Sequence, residues 1–481
     1  MDDPGLPIKL GPCSNGEYPP QPPSEVVREA VRRARRMCDD NARRIGMDRR
    51  RFLLSSMGAA TTLLALGACN SESNGGQPSG GSFDLDDEAM VDADAAIEAL
   101  GDDQPVVDMQ THLAEYPPDF DGAHIGAYFQ TLPGGKQCGD QSFDDCFGIE
   151  AWKQDVLIDS DTTLAVLSTL NVLPGNPLSP EVMDRTRQEA IELCGEGRVL
   201  VQGHAWPNVG DPEAALEAME AELAEFPVSA WKTYTHVGGG FFLDDRAGLP
   251  VGEAFLAMVE EIGPPIVCVH KGFGDVGESQ FADPVDIGPA ATNHPDLTFC
   301  VYHSGFEVAV AEGPYDPAAP GGGVDRLVKT LEDHDIGPEA NVYAELGSTW
   351  KFNLGDPEAL AHILGKLLLA VGEDRILWGT DSIWYGSPQD QIQAFRAFQI
   401  SQQFQEEYGY PALTEEMKHK ILWRNAARLL DIEVARLPCR DPQEAEEARM
   451  DSSRGNRTRG PRTPAQARAL FRAEHPWLSR I

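Results

Sequence analysis

Short apolar runs recur between residues 104 and 381, separated by longer stretches of mixed polarity. Val106-Val-Asp-Met-Gln-Thr-His112 is the first and Thr163-Leu-Ala-Val-Leu-Ser-Thr-Leu the second. Six more follow, reaching His204, His236, His270, His303, Glu345 and Asp381. Runs this short, bounded by turn residues, read as buried strands. The stretches between them carry amphipathic helices over 211–225, 356–371 and 387–406. Asp211-Pro212 and Asp356-Pro357 open two of these in the favoured N-cap/N1 order. Successive steps from His204 to His236, His270, His303, Glu345 and Asp381 are 32, 34, 33, 42 and 36 residues. Each suits one strand–helix unit. Eight units without a break predict an α/β chain built as a closed (β/α)8 barrel of the TIM type. A doubly wound open sheet is the alternative, and no Gly-rich phosphate loop follows the first strand to support it.

The flanks read differently. Residues 1–46 are Pro-rich and then basic, and are expected to form a mobile arm with one helix. Residues 47–69 join Arg49-Arg-Arg-Phe-Leu-Leu to a short apolar run ending at Leu66-Gly-Ala-Cys69. The run is too short to span a membrane. The segment resembles a twin-arginine export signal in register with a bacterial lipobox, in which Cys69 would be lipidated. A buried N-terminal helix is the competing reading. Residues 70–103 are Ser/Gly-rich and then acidic, as a flexible tether would be. The barrel is expected over 104–433, closing with a helix at Lys420-Ile-Leu-Trp-Arg-Asn-Ala-Ala-Arg-Leu-Leu. The Arg-rich tail 434–481 reads as surface-docked or disordered. This organisation implies an exported protein, periplasmic or anchored in the cell envelope, that meets a membrane only through the lipid.

Composition narrows the function classes. A formal net charge of −38 argues against a nucleic-acid-binding surface. Nine cysteines in 481 residues make no compact disulfide framework. Cys268 and Cys300 lie inside apolar strands and read as core residues. Cys138 and Cys146 sit close together in a polar insertion and could pair in an oxidising compartment.

In a barrel of this kind the C-terminal strand ends converge on one mouth, where catalytic residues gather. His112, His270, His303 and Asp381 all occupy such ends. Neutral imidazoles and a carboxylate are ligands that zinc accepts, and an ion so held makes hydroxide available near neutral pH. Four such residues at matched strand ends are hard to attribute to chance, although any one alone is more often a satisfied strand-end group.

Asp108-Met-Gln-Thr-His112, the His270 and His303 strand ends, Gly379-Thr-Asp381 and Asn425-Ala-Ala-Arg-Leu-Leu together resemble the amidohydrolase superfamily, in its branch of amidohydrolase-related hydrolases and decarboxylases. The resemblance covers about 104–432. It implies that the paired strand-one residues, His270 and Asp381 bind metal. It also implies that His303 positions or deprotonates water or substrate, and that Asp381 doubles as acid/base. The chain departs from the D-x-H-x-H pattern at Gln110, which replaces the first histidine with a weak neutral donor. Three readings follow: metal on Gln110, His112, His270 and Asp381; metal on the last three with more water; or no metal, with acid/base catalysis or binding alone.

Other mouth positions are assigned to substrate: His204, Lys232, His236, Trp350, Trp384 and Tyr385. Lys232 is also read as a buried partner of Glu345 or Asp381, because it lies too deep for a carboxylated metal bridge. Gly238-Gly-Gly-Phe-Phe is a candidate lid. The expected function is a metal-dependent hydrolase cleaving a C–N or C–O bond (amide, ester or lactone) of a small organic substrate. Zn2+ is the expected ion, with Mn2+ as the alternative. A non-oxidative decarboxylase of an aromatic or unsaturated acid, and a non-catalytic envelope binding protein, are the competing readings. A homo-oligomer is compatible with the sequence.

Overall fold

The computed structural model describes residues 3–76, 79–116, 143–170, 176–207, 211–274, 279–435, 438–456 and 458–468. A short strand β1 (Gly81–Phe83) precedes the eight strands of the main sheet. These are β2 (Val107–Thr111), β3 (Leu164–Leu167), β4 (Val199–His204), β5 (Val228–Tyr234), β6 (Ile266–His270), β7 (Thr298–Tyr302), β8 (Val342–Glu345) and β9 (Ile376–Leu377). They lie in chain order, each parallel to the next. β9 is only two residues long, so the ring closes on single bonds rather than a ladder. Met109 N–H donates to Trp378 O at 3.0 Å and Asp381 N–H to Gln110 O at 2.8 Å. The expected barrel is thus present as a nearly closed ring of eight parallel strands. Val107, Met109, Leu164, Val166, Ala230, Cys268, Cys300 and Leu377 pack together as one buried cluster, as the filled interior of such a barrel requires.

Helices follow the strands with the caps the sequence announces. The Asp211 carboxylate accepts from the N–H groups of Glu213 and Ala214, and that of Asp356 from Ala359 N–H. The helix expected over 387–406 is instead two, Gln389–Ala397 and Gln402–Tyr408. Between them β10 (Phe398–Ile400) extends to pair antiparallel with β1. Phe398 and Ile400 suit a strand, and Ser401 restarts the helix by capping Phe404 N–H.

The residues that precede the barrel are built into the domain. Helix Glu25–Ile45 buries Val27, Ala30, Ala34, Cys38 and Ala42, a stripe at helical spacing. Helix Ser56–Ser73 runs unbroken through the lipobox-like residues, with Cys69 only 5% exposed. From Met57 to Cys69 it carries no charged residue, the composition of an enclosed helix as much as of an export signal. Among the described residues no helix is long and apolar enough to cross a membrane. Arg49 pairs with Asp39 at 2.6 Å, and Arg50 donates to Ser452 O at 2.9 Å. The segment expected to be a free tether is also packed: it carries β1 and helix Ala93–Leu100, with Ala96 and Leu100 fully buried. The expected mobile arm does hold one helix, and its leading residues are anchored. Leu6, Ile8 and Leu10 are buried in alternation, the pattern of an extended segment with one face inward.

At the other end, a disulfide joins Cys194 to Cys439. Cys146 is also disulfide-bonded, and its expected partner Cys138 lies outside the described residues. Cys268 and Cys300 are free and buried. Most of the expected amphipathic end at Ala465–Leu478 also lies outside the described residues.

Candidate active site

The loops after β2, β7, β8 and β9 deliver their polar side chains to one buried cup at the C-terminal mouth. Asp108 locks two of the four together. Its Oδ1 accepts from Gln110 N–H at 3.2 Å and from Thr380 N–H at 3.0 Å. Beyond that lock, Gln110 and Asp381 face each other. Asp381 has φ 56° and His303 φ 65°, both left-handed. Such conformations in non-glycine residues cost of order 1–3 kcal/mol and persist only where the surroundings enforce them. Here the enforcement is visible. His303 N–H donates to Glu345 Oε2 at 3.1 Å, and Gly347 N–H to Glu345 Oε1 at 2.6 Å.

The ring orientations follow from backbone carbonyls. His112 Nδ1 donates to Ser168 O at 2.7 Å and His303 Nδ1 to Gly347 O at 2.6 Å. Both Nε2 lone pairs are therefore fixed toward the cup. His112 Nε2 stands 3.1 Å from Asp381 Oδ1. The Gln110 amide lies 3.4 Å from His112 Nε2, from His303 Nε2 and from Asp381 Oδ1. Gln110 Oε1 has no hydrogen-bond partner.

A second group adjoins the first. His303 Nε2 lies 3.2 Å from His270 Nδ1, and the His270 ring centre is 4.5 Å from that of His236. His270 Nε2 and both nitrogens of His236 are buried without a hydrogen-bond partner. Burial, with the neighbouring cations, lowers His236 to about 3 and drives His270 well below the ordinary histidine value. Burial likewise lowers His303 to about 4 despite Asp381. All three rings are neutral at neutral pH, the form that binds metal or accepts a proton. Burial opposes ionisation of Asp381 too, but the adjacent His112 and His303 and the Ser348 hydroxyl outweigh it and hold the carboxyl below its ordinary range. Burial pushes Glu345 up to about 8.

Two further contributors come from residues 14–18. Asn15 Nδ2 donates to Asp381 Oδ2 at 2.9 Å and to Glu17 Oε2 at 2.6 Å. Glu17 Oε1 lies 3.9 Å from His270 Nδ1. Burial and the Asp381 charge raise Glu17 to about 8. Tyr18 stacks on Phe273 at 5.0 Å and meets Tyr385 hydroxyl to hydroxyl at 3.1 Å. Ser348 hydrogen-bonds Asp381 and Tyr385. The N-terminal segment thus forms a wall of the cup.

A family profile for amidohydrolases matches residues 154–432, more than half of the chain. The chain belongs to the amidohydrolase family. Some solved structures are similar to the chain at low identity. An uncharacterized TIM-barrel protein of Bordetella bronchiseptica is 14% identical with a TM-score of 0.43, covering 68% of this chain and 98% of that one. A manganese-bound 5-carboxyvanillate decarboxylase of Novosphingobium aromaticivorans is 14% identical at 0.42, covering 68% and 97%. A Pseudomonas putida protein assigned as a 2-pyrone-4,6-dicarboxylic acid hydrolase is 15% identical at 0.41, covering 69% and 99%. No curated protein matches the chain.

Amidohydrolases of this kind are hydrolases or decarboxylases and typically carry a divalent metal. The residues present fit one. Ligand atoms around an ion at about 2.1 Å stand roughly 3.0–3.4 Å apart. His112 Nε2, Asp381 Oδ1 and the Gln110 amide are spaced in that range. Oxygen and nitrogen of an amide exchange by a flip, which would turn the partnerless Oε1 of Gln110 inward.

Not every residue assigned from sequence joins this amidohydrolase cup. His204 is held by Glu222 and Leu178 O, both at 2.9 Å, so both of its ring nitrogens are engaged outside the cup. Trp350 donates to Gln391 O and packs against Trp378, Phe395 and Phe398, behind the barrel wall. Lys232 makes no ion pair among the described residues. Its Nζ lies 3.9 Å from the Tyr302 ring centre, and burial lowers it to about 8. Glu345 clamps backbone instead of pairing with it. Trp384 lies beside His112, ring centres 6.2 Å apart, and Tyr385 hydrogen-bonds Ser348. In the expected lid, Phe241 is fully buried. Asn15, Glu17, Tyr18 and Ser348 were not anticipated. Only the alternation at Leu6, Ile8 and Leu10 signalled that their segment packs.

Proposed function

We propose that the chain is a metal-dependent hydrolase acting on an amide, ester or lactone carbon of a small organic substrate. One observation carries this reading. Two imidazole lone pairs and a carboxylate oxygen, from His112, His303 and Asp381, converge on one buried point, and backbone carbonyls fix both rings. Gln110, His112 and Asp381 would hold the ion. A divalent ion there supplies Lewis acidity to the carbonyl and acidifies water. His303 accepts the proton at Nε2, because its Nδ1 is committed to Gly347 O. Asp381 stays ionised and can hold a proton in transit to the leaving group. Trp384 and Tyr234 set aromatic faces beside His112 and His270, and Phe147 meets Trp384, an apolar surround suited to a planar substrate, while burial excludes bulk water. Zn2+ suits the nitrogen and oxygen donors, and Mn2+ suits the amide and carboxylate oxygens.

Decarboxylation of an aromatic acid is the second reading. The Lys232 ammonium favours it, since it is buried without a hydrogen-bond partner beneath the histidines and could meet a substrate carboxylate. The test is a panel of aromatic lactones, esters, amides and acids, scored for hydrolysis and CO2 release by purified full-length protein. Hydrolysis that disappears on chelation, returns with Zn2+ or Mn2+, and falls about a thousandfold in Asp381→Asn supports the first reading. CO2 release without hydrolysis moves the assignment to the second. Turnover indifferent to metal and to Asp381→Asn refutes both.

A further inference from the structure

The segment Ser14–Tyr18 has no assigned role, yet it is among the most tightly fixed parts of the mouth. Ser14 Oγ donates to Tyr18 O at 2.6 Å and accepts from Gly16 N–H at 2.9 Å. Glu17 N–H donates to Asn15 Oδ1 at 3.0 Å. Gly16 takes φ 104°, a conformation open to glycine and strained for other residues. The turn so formed sends two side chains inward, Asn15 to Asp381 and Glu17 toward His236 and His270. One ligand atom from each of Glu17, His236 and His270 lies within 4.8 Å of the others. The two rings carry three buried nitrogens without a hydrogen-bond partner. Buried polar atoms left in this way are destabilising unless something binds them. The only side chain within hydrogen-bond reach of the Glu17 carboxylate, among the described residues, is the Asn15 amide, which also serves Asp381. Two carboxylates share one neutral donor, and no Lys or Arg side chain pairs with either among the described residues.

We propose that Glu17, His236 and His270 bind a divalent cation, so that the N-terminal segment supplies a metal ligand to the active site. This rests on the metal-dependent reading above and extends it. An ion at about 2.1 Å from each ligand needs their atoms within about 4.2 Å of one another. The rings therefore close by a few tenths of an ångström, which side-chain rotation provides. The site adjoins the Gln110–His112–Asp381 group through the His270–His303 contact of 3.2 Å. The added carboxylate also offsets the charge-neutral Gln110, a weak donor where the family pattern has histidine.

The test is Mn2+ binding by the full-length protein after metal removal, read as free Mn2+ by electron paramagnetic resonance and as bound metal by elemental analysis. Three variants accompany wild type: Glu17→Gln, Asp381→Asn and Tyr18→Phe. The last removes the Tyr385 contact of the segment and leaves every ligand in place. The expected result is that Glu17→Gln loses one bound equivalent or binds roughly tenfold more weakly or worse, while Tyr18→Phe binds as wild type does. Unchanged binding in Glu17→Gln with loss in Asp381→Asn overturns the inference and leaves the proposed function standing. Equal losses in Glu17→Gln and Tyr18→Phe overturn it as well, since docking and not ligation would then matter. A wild-type chain that binds no Mn2+ or Zn2+ removes both.

Discussion

Asp390→Asn tests how the N-terminal segment is held at the mouth. Among the described residues Asp390 is the carboxylate in direct contact with two ammonium groups. Its Oδ1 lies 3.1 Å from Lys9 Nζ and its Oδ2 2.7 Å from Lys351 Nζ. The side chains of Lys9, Lys351 and Asp390 are 8%, 0% and 3% exposed. Removing one member of a buried ion pair costs about 3–5 kcal/mol, because the remaining charge has no partner. Lys9 keeps the carbonyls of Tyr385 at 2.8 Å and Ser387 at 2.6 Å, so Lys351 bears more of the loss. Adding Lys351→Met should then recover roughly half of it. The pH dependence has a definite sign. Burial raises Asp390, but Lys351 and Lys9 outweigh it and hold the carboxyl below its ordinary value. A depressed carboxylate contributes stability above pH about 4 that disappears as pH falls through the lowered value. Asp390→Asn should flatten that acid limb. Lys9 is lowered by burial against the pull of Asp390, so its slope has the same sign but falls in the alkaline range, where stability rises with pH. Urea unfolding across pH, with proteolysis of residues 3–24, reads these outcomes. A variant within about 1 kcal/mol of wild type, its N-terminal segment equally protected, would refute the anchoring role.

Three further outcomes are expected. At Gly379 an added Cβ would collide with the Glu345 carboxylate and stand 3.3 Å from Gln110 Cβ; Gly379→Ala should therefore cost about 1–3 kcal/mol and displace the clamp on His303. A kcat equal to wild type would show that the clamp does not position His303. Lys232→Met removes an ammonium whose burial lowers it to about 8; thermal melts at pH 7 should show a gain of roughly 1–3 kcal/mol, shrinking as pH rises toward 10, and a loss of stability would contradict this. Labelled fatty acid fed to expressing cells reports on Cys69. A chain folded with Cys69 enclosed takes up no label, whereas label lost in Cys69→Ser would mean that processing precedes this packing.

Much of the barrel was legible because its signal is local and repeated. A strand buried on both faces must be apolar throughout, and the helix after it must be amphipathic, so each unit declares itself within about 35 residues. The polar strand ends His112, His270, His303 and Asp381 were legible for the same reason: an ionisable group ending an apolar run needs a partner. Phe398–Ile400 was misread because a three-residue strand between two helices leaves no periodic trace, and only its pairing with Gly81–Phe83 defines it.

By itself the sequence determined the number of strand–helix units, their order, and which strand ends carry ligand-type residues. Tertiary structure decided the rest. It sent His204 to Glu222 and Trp350 behind the wall, choices set by neighbours on other elements. It enclosed helix Ser56–Ser73, whose uncharged run suits either a leader or a core and cannot select between them. It brought Asn15 within 2.9 Å of Asp381 across 366 positions of sequence. A contact of that range leaves no mark in local composition or period, because it exists only once the barrel has closed and offers a mouth for the segment to line.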